Sequence, residues 1–213
     1  MNLSIFHTNA TEFEQYESLY NGFLSTIADT ESPALENMGD RTSSGFLFLV
    51  KHKKRWTKDH GQITFLYDKD VESIVGVSAV EDCPLHDQLG SGGNRCWVLP
   101  PYRSDNSVSK HLLSSNLEWC KSRGKLGMLL TFNDYNKSIY DVIVQRSQGH
   151  GRALGTIWSN WWNDCIPLEN KLRLHNTPQW AVIKPMVAYD QLEPIANDLI
   201  DKFGVRTQPF NVQ

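Results

Sequence analysis

The 213-residue chain has no excess of positive charge: 21 Lys and Arg stand against 24 Asp and Glu, for a net charge of −3. That disfavours a strongly basic nucleic-acid binder and leaves only local patches open. Long apolar runs are also missing. Stretches such as Phe46 to Val50 stop well short of the ~18 residues a membrane helix needs, so no span is expected. The opening MNLSIFHTNA lacks the charged and apolar regions of a secretory signal, and a cytoplasmic location is the expectation. Cysteine is scarce and widely spaced. Cys83, Cys96, Cys120 and Cys165 form no CxxC pair and read as small buried hydrophobes of a reducing compartment. Cys83-x-x-His86 has zinc-like spacing, but no second pair completes it, so no metal site is expected. HExxH, GxxxxGK[ST] and GxSxG do not occur, which removes the usual signatures of metalloprotease, P-loop and serine-hydrolase chemistry. With 14 Gly and 9 Pro, the chain has too few of either to be fibrous or disordered.

What is present is an ordinary globular composition, 40% hydrophobic, with 7 Trp, 9 Phe and 7 Tyr to fill a core. At about 150 residues per domain the length predicts one domain over residues 1–189. A C-terminal helix and tail over 190–213 are expected to pack on it. Leu3 to Thr8 reads as a first strand. Thr11-x-x-Glu14 is a capping box, followed by apolar residues at helical spacing from Phe13 to Ile27. Residues 29–44 read as loop, and Phe46 to Thr57 as strand or short helix. The seven charges of residues 1–40 are all acidic, whereas 51–58 carries five basic residues. That cluster is a solvated helix end or a patch for an anionic ligand. Gln62–Tyr67 and Ile74–Val80 form a predicted hairpin. Asn94–Leu99 is a third strand, stopped by Pro100-Pro101. Leu113, Leu117 and Cys120 mark a helix over 107–123, with Gly124 as its C′ residue. The apolar run Leu126–Phe132 suits a strand covered on both faces. A helix near 139–146, strands at 153–158 and 180–187, and a closing helix from 190 to 203 complete the series. The strand–helix–strand unit at 94–132 implies a parallel pair, and the hairpin before it an antiparallel one. The expected fold is a mixed α/β (α+β) sheet with helices on both faces.

The most specific segment is Cys96-Trp-Val-Leu-Pro-Pro-Tyr-Arg103, which leads into the 107–123 helix. A strand, an abrupt stop, an arginine and a helix start bring free backbone N–H groups and a positive helix end together, which suits a pyrophosphate. This stretch resembles motif A of the GCN5-related N-acetyltransferases, V-x-P-x-Y-R followed by Q/R-x-x-G-x-G/A and an amphipathic helix. Val98, Pro100, Tyr102 and Arg103 match its first part, Leu112-Leu113 match the leucine pair of the helix, and Asn133-Asp-Tyr-Asn136 is similar to the N-x-x-N entry into the next helix. The resemblance covers residues 62–146. The glycine turn is absent: Ser104, Ser107 and Ser109 stand where Q/R, Gly and Gly/Ala belong.

The resemblance implies a mainly antiparallel acyl-CoA N-acyltransferase-like sheet with a splayed parallel strand pair, and acetyl-CoA as cosubstrate. Trp97, Val98 and Leu99 would pair with the pantetheine as with an added strand, and the N–H near Leu99 would polarise the thioester carbonyl. Arg103, Ser104, Asn106, Ser107, Val108 and Ser109 would hold the diphosphate, and Asn133 and Asn136 the pantetheine arm. Asn106 or Ser107 read equally as a helix N-cap. An amine that attacks directly needs only a base and an acid. Glu81, at a strand end, is the candidate base, or a solvated turn carboxylate. Tyr140 is the candidate acid, or a core aromatic on an amphipathic helix. Trp158, Trp161, Trp162 and Trp180 read as core or interface residues, or as walls of an acceptor pocket. The implied activity is acetyl transfer to a primary amine of a small molecule or peptide, with no membrane or nucleic-acid partner and with a homodimer compatible. Two other readings stand beside it. One is an inactive module of the same fold that binds a peptide or protein, with Arg103 or Trp97 filling the cleft. The other is nucleic-acid contact through Lys51 to Lys58.

Overall fold

A computed structural model describes residues 2–8, 15, 17–19, 21–23, 25–26, 61–92, 96–103, 106–132, 134, 137–147, 161–162, 164–174 and 177–205. The readings made for 29–44, 46–57, 51–58 and 153–158, and for the tail after 205, lie outside these residues. Among the described residues nine strands form the architecture: β1 (Leu3–Thr8), β2 (Gly61–Asp68), β3 (Ser73–Asp82), β4 (Leu89–Gly92), β5 (Trp97–Val98), β6 (Gly127–Phe132), β7 (Ile166–Pro167), β8 (Leu172–Leu174) and β9 (Thr177–Pro185). The long helices are α1 (Asn106–Ser122), α2 (Lys137–Ser147) and α3 (Tyr189–Phe203), and a 3-10 turn covers Pro100–Tyr102. Residues 17–19, 21–23 and 25–26 are also helical, and Phe23 of that stretch is fully buried.

Strand order is β1-β2-β3-β4-β6-β9-β7, with β5 on β3 and β8 on β9. All these pairings are antiparallel except β4 with β6. The α/β mixed sheet, mainly antiparallel with a single parallel pair, is therefore as the sequence predicts. Its two faces follow from the period-2 alternation of side chains. Met128, Leu130 and Val182 point to one face, where they meet Leu113, Leu117 and Cys120 of α1 and Tyr140 and Ile143 of α2. Leu129, Ala181 and Ile183 point to the other, against Leu192, Ile195, Ala196 and Leu199 of α3. This is why Leu126–Phe132 is nearly continuous in apolar character, with Thr131 its one polar side chain: β6 is central and covered on both sides. α1 stops where the sequence says it does. Gly124 has φ +67°, the Lys125 N–H donates to the Cys120 carbonyl at 3.0 Å and the Gly124 N–H to that of Lys121 at 3.0 Å, which together make a Schellman close.

One expectation is corrected. The parallel partner of β6 is Leu89–Gly92, not Asn94–Leu99. The sequence hides this strand because LGSG has poor β propensity. The glycines are there for space: a Cβ on Gly90 would run into the Cys120 thiol, and one on Gly92 would come within 2.8 Å of Met128 Sδ. α1 thus lies directly on the bare backbone of β4. We predict that Gly90→Ala destabilises the protein by about 1–3 kcal/mol, as overpacking does, measured by urea unfolding. Adding Cys120→Ala should recover part of that loss. An unchanged midpoint for Gly90→Ala alone would contradict the close approach.

Candidate active site

The site begins with a mismatch of count. β4 pairs with β3 up to Val80↔Gly92, and β5 takes up the pairing again at Val77↔Trp97 and Gly76↔Val98. Between these points β3 has two residues, Ser78 and Ala79, while the other chain has four, numbers 93 to 96. A surplus of this kind interrupts the ladder and re-aims the strand, as a bulge does. β4 keeps β6 as its parallel neighbour only from Leu89↔Gly127 to Gly92↔Leu130. Beyond that, among the described residues, β5 pairs with β3 alone, while β6 continues beside β9 through Thr131 and Phe132. The parallel pair therefore splays apart.

Backbone alternation shows what faces the gap. The Leu99 N–H donates to the Val75 carbonyl at 2.9 Å. Neighbouring residues of an antiparallel strand direct their backbone groups to opposite edges, so Val98 turns its N–H and C=O away from β3. Of the amides near Leu99, its own is committed to β3, whereas that of Val98 turns toward the gap. The Val98 carbonyl accepts from Arg103 Nε at 2.7 Å, and the guanidinium carbon lies 5.2 Å from the Trp97 ring centroid. The Val98, Leu99 and Val108 side chains are buried in the core, so these residues have only backbone to offer a ligand.

The interrupted ladder is closed by α1. Asn116, wholly buried, donates its amide to the Ala79 carbonyl at 3.3 Å, and its Oδ1 accepts from Ser78 Oγ at 3.1 Å. Ser78 Oγ also reaches the Leu112 carbonyl at 3.3 Å. These bonds fix α1 over the bulge and so fix the place of its first turn. Asn106, Ser107, Val108 and Ser109 open that helix, and the first four N–H groups of a helix have no partner within it. Ser104, Asn133 and Asn136, and the side chains of Asn106 and Ser107, lie outside the described residues. The approach to α1 is stiffened by Pro100 and Pro101 and by a clasp: the Tyr102 hydroxyl donates to Asp68 Oδ2 at 2.8 Å. The Asp70 backbone N–H on its other oxygen, at 2.9 Å, is the first reason Asp68 is held below the usual carboxylate range. The sequence match gives Tyr102 no role; here it ties the turn to the β2–β3 hairpin.

Glu81 is buried near the end of β3, opposite Gly61 and Ser91. Because Ser78 meets α1, odd-numbered Glu81 lies on the other face of the sheet. Tyr140 is buried too, its ring 5.0 Å from that of Trp180, and its hydroxyl donates to the Leu168 carbonyl at 2.7 Å. The proton a general acid would deliver is thus held by a backbone oxygen. Trp161 and Trp162 pack edge to face at 4.6 Å within the core, as core residues rather than pocket walls. Trp180 is held by Asp134, which accepts from its indole N–H at 2.9 Å, and by the ammonium of Lys171 4.7 Å from its ring centre. Trp158 is outside the described residues. Burial pushes the thiols of Cys96, Cys120 and Cys165 up to about 12, and that of Cys83 upward as well. None of the four offers a thiolate nucleophile at neutral pH.

No protein-family model matches the sequence, and no curated protein matches it. Solved structures do. An acetyltransferase of the GNAT family from Staphylococcus aureus superposes with a TM-score of 0.54 at 13% identity, over 87% of this chain and 99% of that one. An acetyltransferase from Streptococcus agalactiae gives 0.55 at 10% identity with the same coverage, 87% and 99%. A probable acetyltransferase from Staphylococcus epidermidis gives 0.51 at 11%, again over 87% and 99%. At such identities the likeness is one of fold, and it covers these neighbours almost end to end. The chain has the fold of the GCN5-related, acyl-CoA N-acyltransferase-like proteins.

Proposed function

We propose that the protein is an N-acetyltransferase that moves an acetyl group from acetyl-CoA to the primary amine of a small molecule or peptide. The observation that carries this reading is the edge at Val98. Its N–H and C=O face the gap left by β6, a few residues before the first turn of α1. An extended amide-bearing arm can add to that edge as a strand would, while a diphosphate meets the helix start. Glu81 stands five residues along β3 from Gly76, the partner of Val98. That is about 16 Å at the usual rise, so the carboxylate lies beyond the bulge from Val98 and from the first turn of α1, opposite Ser91 of β4. The diphosphate then belongs at the near end and the thioester toward the bulge, with the acceptor amine entering from the face of Glu81.

In this arrangement Glu81 takes the proton of the attacking ammonium, directly or through water. The amine nitrogen adds to the thioester carbonyl and the thiolate leaves. A thiol of pKa about 8.5 departs readily, so proton return from solvent suffices while the Tyr140 hydroxyl stays on Leu168. The buried, protonated cysteines favour direct attack over an acyl-enzyme. The second reading, a binding module of the same fold, draws support from Arg103, whose side chain already occupies the Val98 carbonyl.

Titration calorimetry with acetyl-CoA and with desulfo-CoA should give heat and a thermal shift at up to millimolar ligand. Neither signal for either ligand would remove the cosubstrate. Glu81→Gln should lower kcat by about 10²–10⁴, the range of a positioned base, with acetyl-CoA affinity kept; an unchanged kcat would remove Glu81. Tyr140→Phe should lower unfolding stability by about 1–2 kcal/mol, through the unsatisfied Leu168 carbonyl, and leave most of kcat. A collapsed kcat at unchanged stability would restore Tyr140 as the acid.

A further inference from the structure

The arginine on the β5 edge stands where the proposed ligand has to bind. Val98 presents one carbonyl to the gap, and Arg103 Nε donates to it at 2.7 Å, a short bond from a charged donor. The guanidinium is further steadied over the Trp97 ring at 5.2 Å. Its own backbone cannot drift away. The Arg103 N–H is tied to the Pro100 carbonyl at 3.1 Å, the Tyr102 N–H to that of Leu99 at 2.9 Å, and the Tyr102 hydroxyl to Asp68 at 2.8 Å. The backbone is therefore anchored while Arg103 as a residue is exposed, so its long side chain has room to rotate to another partner.

We infer that Arg103 is a latch on the β5 edge, which the amide arm of an acyl-CoA displaces from the Val98 carbonyl and whose freed guanidinium then pairs with a phosphate of the same ligand. This rests on the acetyl-CoA reading above. The chemistry is an exchange. The ligand's N–H replaces the guanidinium on the carbonyl, and the guanidinium gains a phosphate oxygen, for which its planar fork is well suited. Ligands that carry both the arm and the phosphates gain on each count. An arm without phosphates has to open the latch and offers nothing in return. Arg103 thereby selects for a phosphorylated thioester, and an empty edge stays capped against pairing with a stray strand.

The test compares acetyl-CoA with S-acetylpantetheine, which has the arm and no phosphate, on wild type and Arg103→Ala by calorimetry. Arg103→Gln serves as a second variant if the alanine protein loses its thermal transition. The latch predicts that S-acetylpantetheine binds the variant about fivefold more tightly than wild type, as removing a charged hydrogen bond of ~1 kcal/mol would give, whereas acetyl-CoA does not gain. Unchanged or weaker S-acetylpantetheine binding, with acetyl-CoA still bound by wild type, overturns the latch and leaves the acetyl-CoA reading standing. Equal gains for both ligands overturn the handover to phosphate. Absence of acetyl-CoA binding to wild type and variant alike overturns the acetyl-CoA reading and the latch with it.

Discussion

The Ala79 carbonyl sets the central constraint of this molecule. A carbonyl buried in a sheet interior needs a donor, and Ala79 lies between the last β3–β4 pair at Val80 and the first β3–β5 pair at Val77. The Asn116 amide fills that role from α1. Because Asn116 is locked to Ala79 and Ser78, the helix cannot slide along the sheet, and its first turn is held at one place relative to β5. The glycines of β4 let the same helix come close enough for those bonds to form. A splayed strand pair, an exposed edge and a positioned helix start thus follow from one interrupted ladder.

This arrangement divides the work between backbone and side chain. In the proposed function the groups offered to an extended ligand are backbone groups of β5 and of the first turn of α1. Side chains are left to tune it. Arg103 covers the edge, Tyr102 braces the turn through Asp68, and Glu81 lies buried on the opposite face. Burial pushes all four thiols up, away from thiolate character.

Much of this was legible in the sequence, for reasons that can be named. The 107–123 helix and its end at Gly124 follow from apolar spacing and a residue able to take positive φ. The central strand at Leu126–Phe132 shows in its nearly continuous apolar run, and the motif around Val98 to Arg103 leads to the fold. Strand β4 was not legible, because its glycines answer to the thiol of Cys120 and the thioether of Met128, which are distant in sequence. Nor could alternation along β5 be read without knowing which edge meets β3, so the sequence does not say which N–H near Leu99 turns to the gap. The hydroxyl of Tyr140 shows the same limit, since helical spacing places the ring but not Leu168, 28 residues away.

The central claim is that the β5 edge and the first turn of α1 together receive a nucleotide thioester. Amide hydrogen exchange followed by NMR, with and without saturating acetyl-CoA, tests it most directly. The account predicts slowed exchange at Val98 and at the amides of residues 106–109, with Leu99, already bonded to Val75, unchanged. Protection confined to other parts of the sheet, or none at Val98, would contradict it.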